Sequence, residues 1–132
     1  MRAYATTDVG RVRRVNQDYI FCSMMPVGKL PNLFIVADGM GGHKAGDLAS
    51  RFTVETLINN IKNSSSDNPI TIINDAIVNA NTLLLEKAAE SEDYEGMGTT
   101  LVVCTIIGES MYVANVGAVS YTHLRAHETL SD

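Results

Sequence analysis

Two aspartates and one arginine carry the chemistry this sequence suggests. Asp38 ends an apolar run at residues 33–37 and opens a glycine-rich turn, Asp38-Gly39-Met40-Gly41-Gly42-His43. A strand that delivers one carboxylate to its mouth, beside backbone free to offer a carbonyl, suits a hard divalent cation. Asp18 stands just before a second apolar run at residues 19–25, and Arg13 lies a little upstream. If the two runs pair as an antiparallel hairpin, the residue before the first meets the residue after the second. Two carboxylates at one rim can share Mg²⁺ or Mn²⁺, directly or through water. A nearby arginine offers a planar fork that matches a phosphate dianion. Metal and arginine at one sheet end point to phosphate-ester chemistry.

Each of these residues also has a plainer reading. Asp-Gly after a strand is a common turn. Arg13 and Arg14 are adjacent loop residues and can simply be solvated, and Asp18 can cap a turn. His43 suits a surface position or a helix N-terminus. His123 and His127 are spaced i, i+4 but lack a third metal ligand. The run Gly96-Met97-Gly98-Thr99-Thr100 has no following lysine and makes a poor phosphate cradle. Spacing alone leaves these alternatives open.

The elements that must position these residues follow from hydrophobic periodicity. Residues 2–7, 19–25 and 33–37 read as strands, with a loop over 8–18 and a turn over 26–32. A helix is predicted over 45–62, where Val54, Leu57, Ile58 and Ile61 fall at i, i+3, i+4 and i+7. After the polar break at 63–69, a second helix is predicted over 70–90, with Ile73, Ile77, Ala80 and Leu84 on one stripe. An acidic loop at 91–98 leads to two strands, 99–107 and 111–116, joined as an antiparallel hairpin. Residues 120–132 show no strand alternation. Strands, then two long helices, then strands make an α+β arrangement rather than repeating βαβ units.

Composition narrows the class. The 132 residues suffice for one small domain, and 45% hydrophobic content allows a packed core. No apolar run approaches a membrane span, and the first residues lack a signal-peptide pattern. The net charge of −5 argues against a nucleic-acid binder. Cys22 and Cys104 sit in apolar runs, as buried reduced thiols do. The expectation is a cytoplasmic protein with no nucleic-acid or membrane partner.

The motifs in series say more. They are the run from Thr7 to Asp18 with Gly10-Arg11-Val12-Arg13, then Asp38-Gly39-Met40-Gly41-Gly42-His43, Ala45-Gly46-Asp47, Gly96-Met97-Gly98-Thr99-Thr100, and Asn115-Val116-Gly117. In this order they resemble the bacterial metal-dependent serine/threonine protein phosphatases, the type 2C or PPM family. The resemblance covers residues 1–117, the N-terminal half of that family's catalytic domain. It implies a partial four-layer α-β-β-α sandwich of mostly antiparallel sheets flanked by helices. It implies two divalent ions, Mn²⁺ or Mg²⁺, and a water that attacks phosphoserine or phosphothreonine in phosphoprotein substrates. A cognate Ser/Thr kinase is the implied counterpart in signalling. By the same resemblance Asp38 bridges both metals, the Gly39 carbonyl holds one, and Asp18 orients metal-bound water or touches the metal. Arg13 grips the substrate phosphate. Gln17 stands where many relatives have Glu, and Met40 replaces the histidine of animal relatives. The acid role of that histidine does not pass to His43.

The departures bear on activity. Ala118 occupies a position where the family has a metal-binding Asp. The family's later Asp-Gly and Asp-Asn motifs, each giving a metal ligand, have no counterpart. Residues 118–132 match nothing in the family and read as an artefactual, foreign tail. The expectation is a fragment of a protein phosphatase, inactive or weak alone. The alternative is a non-catalytic pseudophosphatase that binds phosphoproteins without turnover.

Overall fold

The computed structural model describes residues 11–15, 18–41, 43–117 and 126–131. Its strands are β1 (Arg11–Val15), β2 (Asp18–Ser23), β3 (Leu33–Met40), β4 (Gly98–Ile107), β5 (Ser110–Val116) and β6 (Ala126–Ser131). They form one sheet in sequence order, with every neighbouring pair antiparallel. Helices α1 (His43–Asn63) and α2 (Pro69–Ala88) lie between β3 and β4 in the chain. A short 3₁₀ turn, Glu92–Tyr94, follows α2.

The helices cover one face of the sheet. Along β3, Leu33, Ile35 and Ala37 are fully buried while Val36 between them is 45% exposed. That is the alternation of a strand with one dry face. Opposite Ile35 and Ala37 stand Val103 and Leu101, also fully buried. Val54, Leu57 and Ile61 of α1 and Ile73, Ile77, Ala80 and Leu84 of α2 close the core from above. These are the stripes the sequence predicts, and Ile58 is packed at their margin. Each large aliphatic side chain removed from water contributes about 2 kcal/mol.

Local chemistry sets the element ends. Asn68 caps α2 by accepting from the Ile70 N–H at 2.9 Å, and Pro69 follows, where a missing N–H costs nothing. Between β2 and β3 the chain makes a tight turn in which Val27 and Leu30 exchange backbone hydrogen bonds of 2.8 and 3.1 Å. Gly28 takes φ +59° there, and a Cβ would lie 2.3 Å from the Ile61 carbonyl. Only glycine lets this turn seat on the end of α1. Lys29 then pairs with Asp67 at 2.8 Å and donates to the Ser65 carbonyl at 2.9 Å.

The α+β class holds. Among the described residues there are one sheet and one helical layer, half of the four layers that the resemblance implies. Two readings change. The loop expected over 8–18 contains strand β1, because Arg-Val-Arg-Arg-Val extends along the free edge of β2, where charged side chains are tolerated. Residues 126–131, read as lacking strand character, pair with β5 as β6. Backbone hydrogen bonding to an open strand edge demands no particular side chain. The strand expected over 2–7 lies outside the described residues, as do Gln17, Ala118 and His123.

Candidate functional site

The hairpin of β2 and β3 places Asp18 directly opposite Asp38. Paired Cα atoms in such a ladder are about 5 Å apart, and their side chains rise from the same face. Asp38 shares that face with Val36, and so lies on the side away from the helices. Asp18 is half-buried and Asp38 is exposed. A hydrogen bond to the Asp38 carboxyl raises the Asp18 pKa above its ordinary value, with burial and the Asp38 charge pushing the same way. A cation placed between the two carboxylates would relieve their mutual repulsion.

The glycine turn is held by its neighbours. Gly39 is buried opposite Thr99, and Met40 pairs with Gly98. Gly41 has φ +117°, and a Cβ would come within 3.2 Å of the Met97 Cα. The Gly39–Gly41 stretch and the Gly96–Gly98 stretch therefore meet backbone to backbone. Thr100 stands opposite Asp38, and the neighbouring Thr99 hydroxyl donates to the Thr100 carbonyl at 2.8 Å. The sequence places 91–98 in a loop and 99–107 in a strand, and offers Gly96–Thr100 as a motif of the resemblance without a structural role. In the fold this run backs the Asp38 strand.

Arg13 lies on β1 opposite Ile20, one row along from the pairing of Val15 with Asp18. Strand spacings put its backbone about 12 Å from that of Asp38. Arg13, Asp18, Asp38 and Gly39 thus belong to adjoining positions of three neighbouring strands. His43 opens α1, directly after the turn. His127 sits on β6 opposite Asn115, four strands from Asp18.

The donor set is all oxygen and suits Mg²⁺ or Mn²⁺ rather than zinc. Two carboxylates and one carbonyl satisfy about half of an octahedral shell. Among the described residues no three His, Cys, Asp or Glu side chains come together as a metal cluster. The residues present therefore fit part of a divalent centre. Cys22 is buried and Cys104 half-buried; both are free, and burial raises the Cys104 thiol pKa. A polar cleft of about 310 Å³ lies at the α1–α2 connection, lined by Asn59, Asn63, Ser64 and Asp75 among others. It adjoins the end of α1 opposite to the glycine turn, roughly 30 Å away along a helix of this length. No described helix is long and apolar enough to cross a membrane.

Comparison with known proteins identifies the family of the chain. The chain is 37% identical over 123 residues to a serine/threonine phosphatase stp of Listeria innocua, covering 89% of this chain and 47% of the relative. It superimposes on Serine/threonine phosphatase Stp1 from Staphylococcus aureus with a TM-score of 0.64 at 32% identity, covering 83% of this chain and 44% of that one. A TM-score of 0.63 at 25% identity relates it to the catalytic domain of the serine threonine protein phosphatase PstP in complex with two manganese ions, with 83% and 46% covered. The chain spans about half the length of the curated relatives it matches. The family described as protein phosphatase 2C matches residues 10–131, nearly the whole chain, with the carboxylate hairpin inside the match. This chain belongs to the protein phosphatase 2C family.

Proposed function

We propose that this chain supplies the N-terminal half of a metal-dependent protein serine/threonine phosphatase. The observation that carries the reading is the register of Asp18 against Asp38 at one sheet rim, with Arg13 in the adjoining row. Asp38, Asp18 and the Gly39 carbonyl would hold the divalent ions, and the PstP structure with two manganese ions supports Mn²⁺ as the probe. When bound, such ions polarise phosphoryl oxygens and make water nucleophilic at neutral pH. Asp38 sits on a strand flanked on both sides, so its carboxylate is positioned by backbone that cannot shift independently. Asp18 orients water by accepting its hydrogen bonds. Arg13 binds the phosphate of a phosphoserine or phosphothreonine by a two-pronged hydrogen bond. The substrates are phosphoproteins, a Ser/Thr kinase is the opposing enzyme, and the setting is the cytoplasm.

The half-filled ligand shell implies weak metal binding and weak turnover by this chain alone. The same observation favours a second reading, phosphoprotein binding without turnover. Mn²⁺ titration by calorimetry, together with hydrolysis of a phosphothreonine peptide, tests both. Metal binding weakened at least about tenfold by Asp38→Asn supports the phosphatase site. Binding unaffected by Asp38→Asn overturns it. Peptide binding that needs Arg13 but yields no phosphate selects the second reading.

A further inference from the structure

The polar cleft at the α1–α2 connection lies on the helical layer, remote from the carboxylate rim. In a helix, sheet, sheet, helix order that layer stays outermost, so a second sheet would leave this cleft open. Its side chains are mostly amides and hydroxyls, and hydrogen bonds to the backbone already hold several of them. Asn63 Nδ2 donates to the Asn59 carbonyl at 2.9 Å and to Asn59 Oδ1 at 3.3 Å, which leaves Asn63 Oδ1 to accept. The Ser64 hydroxyl accepts from the Ser66 N–H at 3.3 Å, and the Ser66 hydroxyl from the Asn68 N–H at 3.1 Å. Each of these hydroxyls keeps its own hydrogen for an outward bond. On α2, exposed Asp75 follows buried Ile72 by three residues, so a carboxylate stands beside an apolar floor.

The lining selects against charged and against apolar ligands. Among the described residues no lysine or arginine lines the cleft. Lys29 reaches the Ser65 carbonyl, but its charge is engaged by Asp67 at 2.8 Å. An anion would therefore meet Asp75 with no counter-charge. One carboxylate is too few for a divalent cation. Helix α1 ends and α2 begins here, so the two helix dipoles present opposite signs side by side. One apolar side chain is too little for a lipid. We propose that the cleft binds a neutral polyhydroxylated ligand of monosaccharide size. Asp75 accepts from two vicinal hydroxyls, Ser64 and Ser66 donate to ring or hydroxyl oxygens, and Ile72 meets the C–H face. The volume of about 310 Å³ is at the small end of ligand pockets. This proposal is independent of metal or phosphate binding at the rim.

The test is NMR titration of the ¹⁵N-labelled 132-residue chain with D-glucose and with myo-inositol, each to about 50 mM. Inorganic phosphate and Mg²⁺ serve as charged probes. The expected result is saturable shifts of the amides at 63–66 and 75, with a dissociation constant on the order of millimolar for at least one polyol. Asp75→Ala and Ser66→Ala should each weaken binding by about fivefold or more. Glu86→Gln, which removes an exposed carboxylate elsewhere on α2, should leave it unchanged. The dispersion of each spectrum confirms that the fold is retained. Absence of saturable shifts with both polyols overturns the proposal. Stronger binding of phosphate or Mg²⁺ at the same amides, or equal weakening by Glu86→Gln, overturns it as well.

Discussion

Asp18 and Asp38 face each other across the ladder between β2 and β3. Because the folded state raises the Asp18 pKa, this group favours folding most below its ordinary value of 3.8. That contribution is lost as pH rises through the folded-state value, and at neutral pH the ionised pair opposes folding. In the absence of divalent ions, Asp18→Asn should therefore raise the melting temperature at pH 7 by about 2 °C, a small effect because the site is partly solvated. The gain should vanish near pH 3, where Asp18 is already neutral. Thermal melts at the two pH values check this, and a lower melting temperature for Asp18→Asn at pH 7 would contradict it. Adding Mn²⁺ should reverse the ranking, since the variant loses a ligand.

At the scale of elements, Asn32 governs how β3 enters the sheet. Its side-chain amide donates to the Ile106 carbonyl at 2.8 Å and accepts from the Ile106 N–H at 2.8 Å. The side chain thus imitates one rung of the ladder between β3 and β4. The Thr105 hydroxyl adds a 2.7 Å hydrogen bond to the Asn32 carbonyl. Asn32→Ala should cost about 1–3 kcal/mol, because Ile106 is left with two unpaired backbone groups. Urea unfolding measures it, and a loss under 0.5 kcal/mol, the floor for such bonds, would show that water replaces the rung. From sequence, Asn32 is only a turn residue after Pro31. Its partner is remote in the chain, and local pattern carries no trace of such pairing. The helix stripes were legible for the opposite reason: Leu57 and Ile61 answer to a 3.6-residue period that is local to the chain. Strand β1 was not legible, since its arginines mask a short alternation that becomes a strand only beside β2.

For the whole molecule, surface charge decides behaviour in solution. Ten basic against fifteen acidic residues leave a net charge of −5, and the isoelectric point is near 5.1. Repulsion between copies that carry this acidic surplus favours solubility at neutral pH. Solubility should fall to a minimum near pH 5 and recover above pH 6.5. Light scattering across that range checks this, and a flat profile would contradict it.

The sequence by itself determined the family, the helical stripes and the identity of the carboxylates, because motif order, periodicity and residue type are written along the chain. It also gave the hairpin by which Asp18 should meet Asp38, since two apolar runs with a turn between them have one simplest pairing. Tertiary structure alone decided three further matters. The Gly39–Gly41 turn rests on Met97 and Gly98, residues far off in sequence that no periodicity connects to it. Arg13 belongs to a strand because β2 offers it a free edge. The helices choose one face of the sheet, and the carboxylate rim lies on the other. Which face is covered depends on burial summed over all the elements, a quantity that no single segment of the chain contains.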